Sequence, residues 1–223
     1  MGGFFGAISR KNCKYDVFFG TDYHSHLGTK RGGLAFYDSE EKSFQRQIHN
    51  IENTPFRTKF ENDLNKMGGN SGIGCISDTD PQPLLVRSHL GMFAVSTVGI
   101  ITNAEKLVEQ TFSGPGHYFM AMSSGKVNSA ELTAALINRC SNLVDGIKYA
   151  QEVIEGSCTI LLLTEEGIIA ARDKLGRLPI VIGKGPDGCC ASMESFACQK
   201  LGYQPCYNLG PGEIVKITAD GYQ

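Results

Sequence analysis

Three apolar runs lie close together in residues 158–183, which read CTILLLTEEGIIAARDKLGRLPIVIG. The runs at 158–163 and 167–172 are short and rich in Leu, Ile and Ala, and Glu165-Glu166-Gly167 between them is a hairpin turn signal. The third run, at 179–183, follows a charged, Gly-containing segment. This stretch therefore predicts consecutive short strands joined by tight turns.

The same pattern continues on both sides of that stretch. Further strands are predicted at residues 3–9, 33–38, 43–49, 71–76, 84–88, 92–101, 189–192 and 213–218. Helices are predicted at residues 56–67, from Asn128 onward and at 143–154, and Asn128 stands three positions before Glu131 as in a capping box. Strands in two groups with helices between them predict an α+β domain of two stacked sheets clad in helices.

The charge and hydropathy of the chain exclude several function classes. Its 223 residues carry a formal net charge of −2 at pH 7, which gives no electrostatic footprint for nucleic acid or for an anionic membrane. The longest apolar stretches, at residues 95–101 and 160–163, are much shorter than a membrane span. We therefore expect a soluble protein with neither nucleic acid nor membrane as a partner.

The eight cysteines are many for a chain of this length, and none forms a Cys-x-x-Cys pair. Their spacing indicates neither a zinc ribbon nor a thioredoxin-like motif. Cys75 and Cys158 stand in or beside apolar runs, as small buried hydrophobic residues do. With no export signal at the start of the sequence, we expect reduced thiols, a cytoplasmic protein and no metal site.

Five short elements, in this order along the chain, resemble one family. They are Met1-Gly2-Gly3-Phe4-Phe5-Gly6, Pro81-Gln82-Pro83, Ala171-Arg172-Asp173-Lys174-Leu175-Gly176-Arg177-Leu178-Pro179, Ser192-Met193-Glu194-Ser195 and Pro211-Gly212-Glu213-Ile214. The third is similar to the Ala-Arg-Asp-x-x-Gly-x-x-Pro segment of amidophosphoribosyltransferases. Together the five resemble the N-terminal, class II glutamine amidotransferase domain of those enzymes, which is an N-terminal-nucleophile hydrolase.

The resemblance carries expectations about architecture and partners. It implies a four-layer αββα fold, with two stacked, mainly antiparallel sheets and helices outside, over residues 1–223 as one domain. It also implies a C-terminal phosphoribosyltransferase-like domain of the same protein as partner, leaves a homo-oligomer open, and gives this domain no cofactor. Residues 213–218 run into the turn Ala219-Asp220-Gly221, and a strand that turns without a partner suggests a piece of a longer chain.

Four positions that the resemblance ties to glutamine chemistry carry residues unable to supply it. Gly2 stands where the family has its nucleophilic cysteine. Val98 and Gly99 align with the asparagine and glycine of the family's oxyanion motif, so the side-chain donor is lost while a backbone N–H remains. Ser77 and Ser129 stand where the family anchors the substrate carboxylate and amine. The resemblance therefore predicts a degenerate glutaminase site.

Other residues offer alternative chemistry. Cys13 lies near the basic residues Arg10 and Lys11, which would lower a thiol pKa and suit a relocated nucleophile. His24 and His26 on a strand would point to one side, either as a metal pair or as structural histidines. The sequence leaves both alternatives open.

Three arginines are predicted to have structural or surface roles. Arg172-Asp173 reads as a buried ion pair that positions the next strand, and Arg87 as a surface or ion-pairing residue. Arg31 keeps the arginine of the family's His-Arg-Gly-Gln element but loses its neighbours.

Three functions therefore stand side by side. The first is a structural or regulatory half of a purine-type phosphoribosyltransferase with a degenerate glutaminase site. The second is an active glutamine amidotransferase with a non-standard nucleophile. The third is a small-molecule binding module that uses the vacated pocket, which the apolar residues at positions 98 and 100 favour.

Overall fold

The computed structural model describes residues 2–112, 122–123 and 126–223. The strands are β1 Gly2–Ser9, β2 Arg31–Asp38, β3 Ser43–Asn50, β4 Ser71–Ser77, β5 Leu84–Ser88, β6 Gly91–Ile101, β7 Met122–Ser123, β8 Lys126–Val127, β9 Gly156–Thr164, β10 Gly167–Ala171, β11 Val181–Lys184, β12 Gly188–Ser192, β13 Gln204–Asn208 and β14 Ile214–Ile217. The helices are α1 Lys14–Asp22, α2 Phe56–Phe60, α3 Ala104–Phe112, α4 Ser129–Ile137, α5 Leu143–Val153 and α6 Ser195–Lys200.

The longer strands form two antiparallel sheets. A seven-stranded sheet has the order β13-β11-β12-β1-β4-β2-β3, and a five-stranded sheet has the order β14-β10-β9-β6-β5. Strands β7 and β8 form a separate two-residue hairpin. Within the described residues, no helix is long and apolar enough to cross a membrane.

Alternation along the strands divides the core into layers, because successive side chains of a strand point to opposite faces. Phe4 of β1 packs with Leu161 and Ile168 of the facing sheet, whereas the adjacent Phe5 packs with Phe18 of α1 and Phe56 of α2. On the outer face of the second sheet, β6 and β9 pack against α4 and α5. The expected αββα arrangement of two antiparallel sheets with helices outside is confirmed.

Most predicted elements form, with one clear error in length. The hairpin of β2 and β3 pairs Asp38 with Ser43, as its charged turn predicts. The helix predicted at 56–67 is wrong beyond Phe60, because a separate 3₁₀ turn occupies Asp63–Asn65. Asn62, Asp63 and Asn65 are weak helix formers, and the carboxylate of Asp63 accepts a hydrogen bond from Nε2 of His49 in β3 at 2.6 Å.

The sequence patterns did not predict α1, α3, α6, β13 or the short hairpin of β7 and β8. Helix α6 is only six residues long, too short for a periodic signal. Strand β13 is an edge strand whose register with β11 shifts between Ile182 and Gly183, opposite Pro205. Proline is confined to such edges and bulges, so its presence hid the strand.

The chain end was expected to turn without a partner, and this expectation is wrong. Strand β14 pairs with β10, and after the turn Gln223 exchanges two backbone hydrogen bonds with Lys216, at 2.8 and 3.0 Å. The last residues thus close a short hairpin of their own.

Candidate functional site

One cavity of about 480 Å³ lies where the start of β1 and the end of β4 approach the end of β6 in the other sheet. All five positions singled out in the sequence line it, namely Gly2, Ser77, Val98, Gly99 and Ser129. Residues from the 79–82 loop, from β9, from the turn at 177–179 and from the 193–194 segment complete the wall. The structure therefore brings together positions that are far apart in the sequence.

Gly2 lies directly opposite Ser77 in the β1–β4 ladder. A Cβ atom added at Gly2 would come within 2.5 Å of the carbonyl oxygen of Ile76, closer than real Cβ contacts allow. Because the obstacle is main chain, a side chain at position 2 requires β1 or β4 to shift. At this point the cavity wall therefore consists of closely packed main chain, with no side chain at position 2.

Ser77 uses its side chain to close a turn. Its hydroxyl oxygen accepts hydrogen bonds from the backbone N–H groups of Thr79 and Asp80, both at 3.2 Å. Ser77 is also buried. The hydroxyl thus holds the loop after β4 rather than presenting a free group to a ligand.

The N-terminus of α4 is tied to that same loop. Asp80 accepts a hydrogen bond from the backbone N–H of Ser129 at 3.0 Å through Oδ2. Asn128 caps the helix through the N–H groups of Ala130 and Glu131, as the sequence predicts, and its amide donates to the carbonyl of Pro81 at 3.0 Å. Ser129 therefore contributes its main chain to a buried polar junction.

Asp80 is a cavity residue that the sequence pattern did not single out. It is only 6% exposed, although a charged residue is rarely buried without a partner. Asp directly before Pro81 is a turn signal, which was the available indication that a polar side chain stands at this strand end.

The end of β6 forms the opposite wall. Val98 is 7% exposed and packs in the core between the sheets, and Gly99 lies opposite Cys158 of β9. Gly99 has a φ of +148°, and a Cβ there would lie 2.1 Å from the carbonyl oxygen of Ser157, so this position requires glycine. Ile100 is 73% exposed at the cavity edge.

The turn after β10 differs from the predicted ion pair. Arg172 donates to the carbonyl oxygens of Leu178 at 2.9 Å, Gly176 at 2.6 Å and Leu209 at 2.5 Å. Asp173 instead accepts from the backbone N–H groups of Leu175 and Leu178. The predicted ion pair is wrong, because main-chain groups of a tight turn satisfy both charged side chains separately. The pair does position the segment leading to β11.

Charged side chains stand at the edge of the cavity. Arg177 is exposed, and it makes no hydrogen bond or ion pair with any residue that the structure describes. Glu194 is partly buried and lies 3.1 Å from Nε2 of His26. The neighbouring Met193 is buried and lines the wall.

The cysteines lie away from the cavity wall. Cys13 is 2% exposed, its thiol faces the carbonyl of Ala7 at 3.5 Å, and burial together with Asp16 raises its pKa. Burial also raises the pKa of Cys75 to about 12 and of Cys158 to about 11. A protonated, buried thiol is a poor nucleophile, so the geometry disfavours Cys13 as a relocated nucleophile. All eight cysteines are free thiols.

The two histidines do not form a pair on a strand, as the metal alternative required. His24 follows α1; its Nδ1 donates to the carbonyl of Gly20 at 2.7 Å, and its Nε2 faces the hydroxyl of Ser192 at 3.3 Å. Burial lowers the pKa of His24. Within the described residues, no group of three potential metal ligands occurs. The histidines are better described as structural.

The remaining two arginines also lie outside the cavity wall. Arg31 begins β2, opposite Ser77 on β4 and Asn50 on β3. Arg87 is exposed on β5, opposite Met92, so the surface position predicted for it is confirmed.

The fold and the cavity define a class. Two antiparallel sheets with outer helices form the N-terminal-nucleophile hydrolase fold, and the chain is homologous to the N-terminal glutamine amidotransferase domain of amidophosphoribosyltransferases. The Methanocaldococcus jannaschii amidophosphoribosyltransferase is 25% identical over an alignment of 228 residues, which covers 97% of this chain and 47% of that protein. The Bacillus subtilis enzyme is 27% identical over an alignment of 231 residues, which covers 98% of this chain and 46% of that protein.

Solved structures give the same result. The B. subtilis glutamine phosphoribosylpyrophosphate amidotransferase, complexed with ADP and GMP, superposes with a TM-score of 0.87 at 26% identity, over 99% of this chain and 48% of that one. A structure described as the allosteric regulatory enzyme of purine biosynthesis gives a TM-score of 0.85 at 26% identity, with the same coverage. The chain thus spans about half the length of these relatives. No protein-family model matches it.

Proposed function

We propose that this chain is the glutamine amidotransferase-like part of an amidophosphoribosyltransferase-like protein, and that its own glutaminase site is degenerate. In this proposal it is a structural or regulatory half of a purine-type phosphoribosyltransferase in the cytoplasm. Its partner is a C-terminal phosphoribosyltransferase-like domain of the same protein. The names of the homologous enzymes support the parent activity, and the free thiols agree with a reducing compartment.

The observation that carries the proposal is Gly2. Hydrolysis of an amide through a covalent intermediate needs a nucleophilic side chain beside the substrate carbonyl, and glycine has none. Position 2 also lacks room for one, since a Cβ would lie 2.5 Å from the Ile76 carbonyl oxygen. Removal of the nucleophile in a well-studied hydrolase costs roughly a millionfold in turnover.

Two other positions support the same proposal. The buried Val98 offers no hydrogen-bond donor to a developing oxyanion, and the loss of one such donor costs about 3 kcal/mol of transition-state stabilisation. The hydroxyl of Ser77 is engaged by the N–H groups of Thr79 and Asp80, so it does not replace a guanidinium as an anchor for a carboxylate. Nucleophile, oxyanion hole and substrate anchor are therefore all altered.

The alternative of an active amidotransferase with a different nucleophile finds little support. Among the described lining residues there is no cysteine, and the hydroxyl groups present have no histidine beside them in the wall to act as a base. The third function, binding of a small molecule, is favoured by the size of the cavity.

The test is the release of glutamate from glutamine by the purified chain, beside a Gly2→Cys variant. We expect no release above the uncatalysed background from either protein, because the anchors are altered as well as the nucleophile. Release by the unchanged chain would overturn the proposal. Release by Gly2→Cys alone would show a pocket that still fits glutamine and would contradict the altered anchors. The melting temperature of the variant, measured alongside, separates an inactive folded protein from a misfolded one.

A further inference from the structure

We propose that the cavity binds an apolar molecule carrying one ammonium group, and that the carboxylate of Asp80 receives this group. The inference rests on the proposed function, because a cavity that still processed glutamine would be shaped for a polar amino acid. It adds to that function the chemical class of the ligand.

The size and wall of the cavity fit a small organic molecule. Its volume of about 480 Å³ lies within the range of small-molecule pockets. Apolar side chains form much of the wall, including Leu27, Ile76, Val98, Leu178 and Met193. Displacing water from such a wall with an apolar group is favourable, so the body of the ligand is expected to be apolar.

Asp80 supplies the polar anchor inside the wall. Asp80 is 6% exposed. Its Oδ2 accepts a hydrogen bond, at 3.0 Å, from the backbone N–H of Ser129 at the start of α4. Its Oδ1 accepts no hydrogen bond from the part of the chain that the structure describes. A buried carboxylate is costly unless it is fully paired, and an ammonium group at Oδ1 completes the pairing with a charge-assisted hydrogen bond.

The distribution of charge selects a cation over an anion. Asp80 and Glu194 are carboxylates of the wall, whereas Arg177 is the cation among the described lining residues and lies exposed at the edge. Glu194 already faces His26, so Asp80 is the carboxylate that remains for the ligand. A ligand carboxylate inside the cavity would meet the engaged hydroxyl of Ser77 and the negative charge of Asp80. This arrangement disfavours an amino acid such as glutamine.

A matched series of probes tests the inference by titration calorimetry. The probes are 2-phenylethylamine, its neutral analogue 2-phenylethanol and its anionic analogue 3-phenylpropanoate. We expect the unchanged chain to bind the amine roughly tenfold more tightly than the alcohol, with the anion weakest, because only the amine pairs with Asp80. Equal affinity for amine and alcohol, or no binding of any probe at millimolar concentration, would overturn the inference.

The decisive variant is Asp80→Asn, which keeps the shape of the side chain and an oxygen for the Ser129 N–H. We expect it to lose the preference for the amine while it still binds the alcohol, and this residual binding shows that the cavity has survived. Asp187→Asn removes an equal charge from a half-exposed residue outside the cavity wall, and it is expected to keep the preference. If Asp80→Asn still prefers the amine to the alcohol, Asp80 is not the residue that binds the ammonium group.

Glutamate release is measured on the same samples, so the two proposals fail in different ways. Release from glutamine with an intact amine preference would overturn the proposed function and leave Asp80 as a cation anchor. If the unchanged chain shows no preference for the amine and releases no glutamate, the ligand assignment alone is overturned.

Discussion

The turn at residues 172–179 and the strand start at Gly2 border the same cavity, yet they use their polar groups in opposite ways. In the turn, Arg172 binds three carbonyl oxygens and Asp173 binds two N–H groups, so the charged side chains determine the path of the main chain. At the strand start, position 2 has no side chain and lies against the carbonyl of Ile76. The first region resembles a motif of the homologous enzymes, and in the proposed function the second lacks their nucleophile.

The difference shows which residues a scaffold needs. The retained motif satisfies main-chain groups that would otherwise be buried without partners, and such groups are costly to leave unpaired. The altered positions Gly2, Ser77 and Val98 fit the strands and the loop in which they stand. In the proposed function, fold and glutamine chemistry are carried by separate residues, and the following changes test that separation.

The largest effect is expected from Arg172→Ala. The variant leaves three carbonyl oxygens without their charged donor, and we expect a loss of about 3 kcal/mol in the free energy of unfolding, measured by urea denaturation. Arg177→Ala is the matched control on the same turn, since Arg177 is exposed and bonds to no described residue. The control is expected to change stability by less than about 0.5 kcal/mol. An equal loss of unfolding free energy in the two variants would show that the three Arg172 hydrogen bonds contribute no more to stability than an exposed arginine does.

A smaller effect is expected from Gly2→Ala. The added methyl group meets the Ile76 carbonyl, and the resulting shift of β1 or β4 is expected to cost about 2 kcal/mol, as in other overpacked cores. Gly221→Ala is the control, because nothing lies within 4 Å of its added Cβ. Thermal and urea unfolding measure both variants. If Gly2→Ala is as stable as the unchanged chain, β1 or β4 shifts at little cost. The start of β1 would then tolerate a side chain, and its difference from the turn at residues 172–179 would be smaller.

The smallest effect concerns His24, whose ring lies behind the strand start near Gly3. Burial lowers its pKa in the folded protein, so below the unfolded value of about 6.5 the unfolded chain binds a proton that the folded chain does not. Stability is therefore expected to fall with decreasing pH below about 6.5, by at most about 1.4 kcal/mol per pH unit, until the lowered folded pKa is reached.

The His24→Gln variant isolates this contribution. Its free energy of unfolding is compared with that of the unchanged chain at about pH 7 and about pH 5.5, on either side of the unfolded histidine pKa. We expect a flatter pH dependence in His24→Gln and no such change in His89→Gln, whose ring is on an exposed residue. An unchanged slope in His24→Gln would show that other groups cause the acid sensitivity.

Local patterns in the sequence predicted much of the fold. Alternation and turn signals located the β2–β3 hairpin and most other strands, and Asn128 marked the start of α4. These features depend on neighbours within a few residues, where period and turn chemistry act directly. The five altered or retained site positions were also named from short motifs.

Contacts between distant residues were not predictable in this way. Asp80 reaches the N–H of Ser129 across 49 positions, and Arg172 reaches the carbonyl of Leu209 across 37. Nothing near either residue in the sequence identifies such a partner, so Arg172 was assigned wrongly to an ion pair and Asp80 was overlooked.

The sequence by itself determined that position 2 carries no nucleophile and that the chain forms two groups of strands with helices between them. Only the tertiary structure decided that the main chain of β4 leaves no room for a side chain there, and that Asp80 lies buried in the wall of one cavity with Ser77, Val98 and Ser129. The physical reason is that strand propensity and capping act along the chain, whereas crowding, burial and the pairing of charges depend on which segments meet in space.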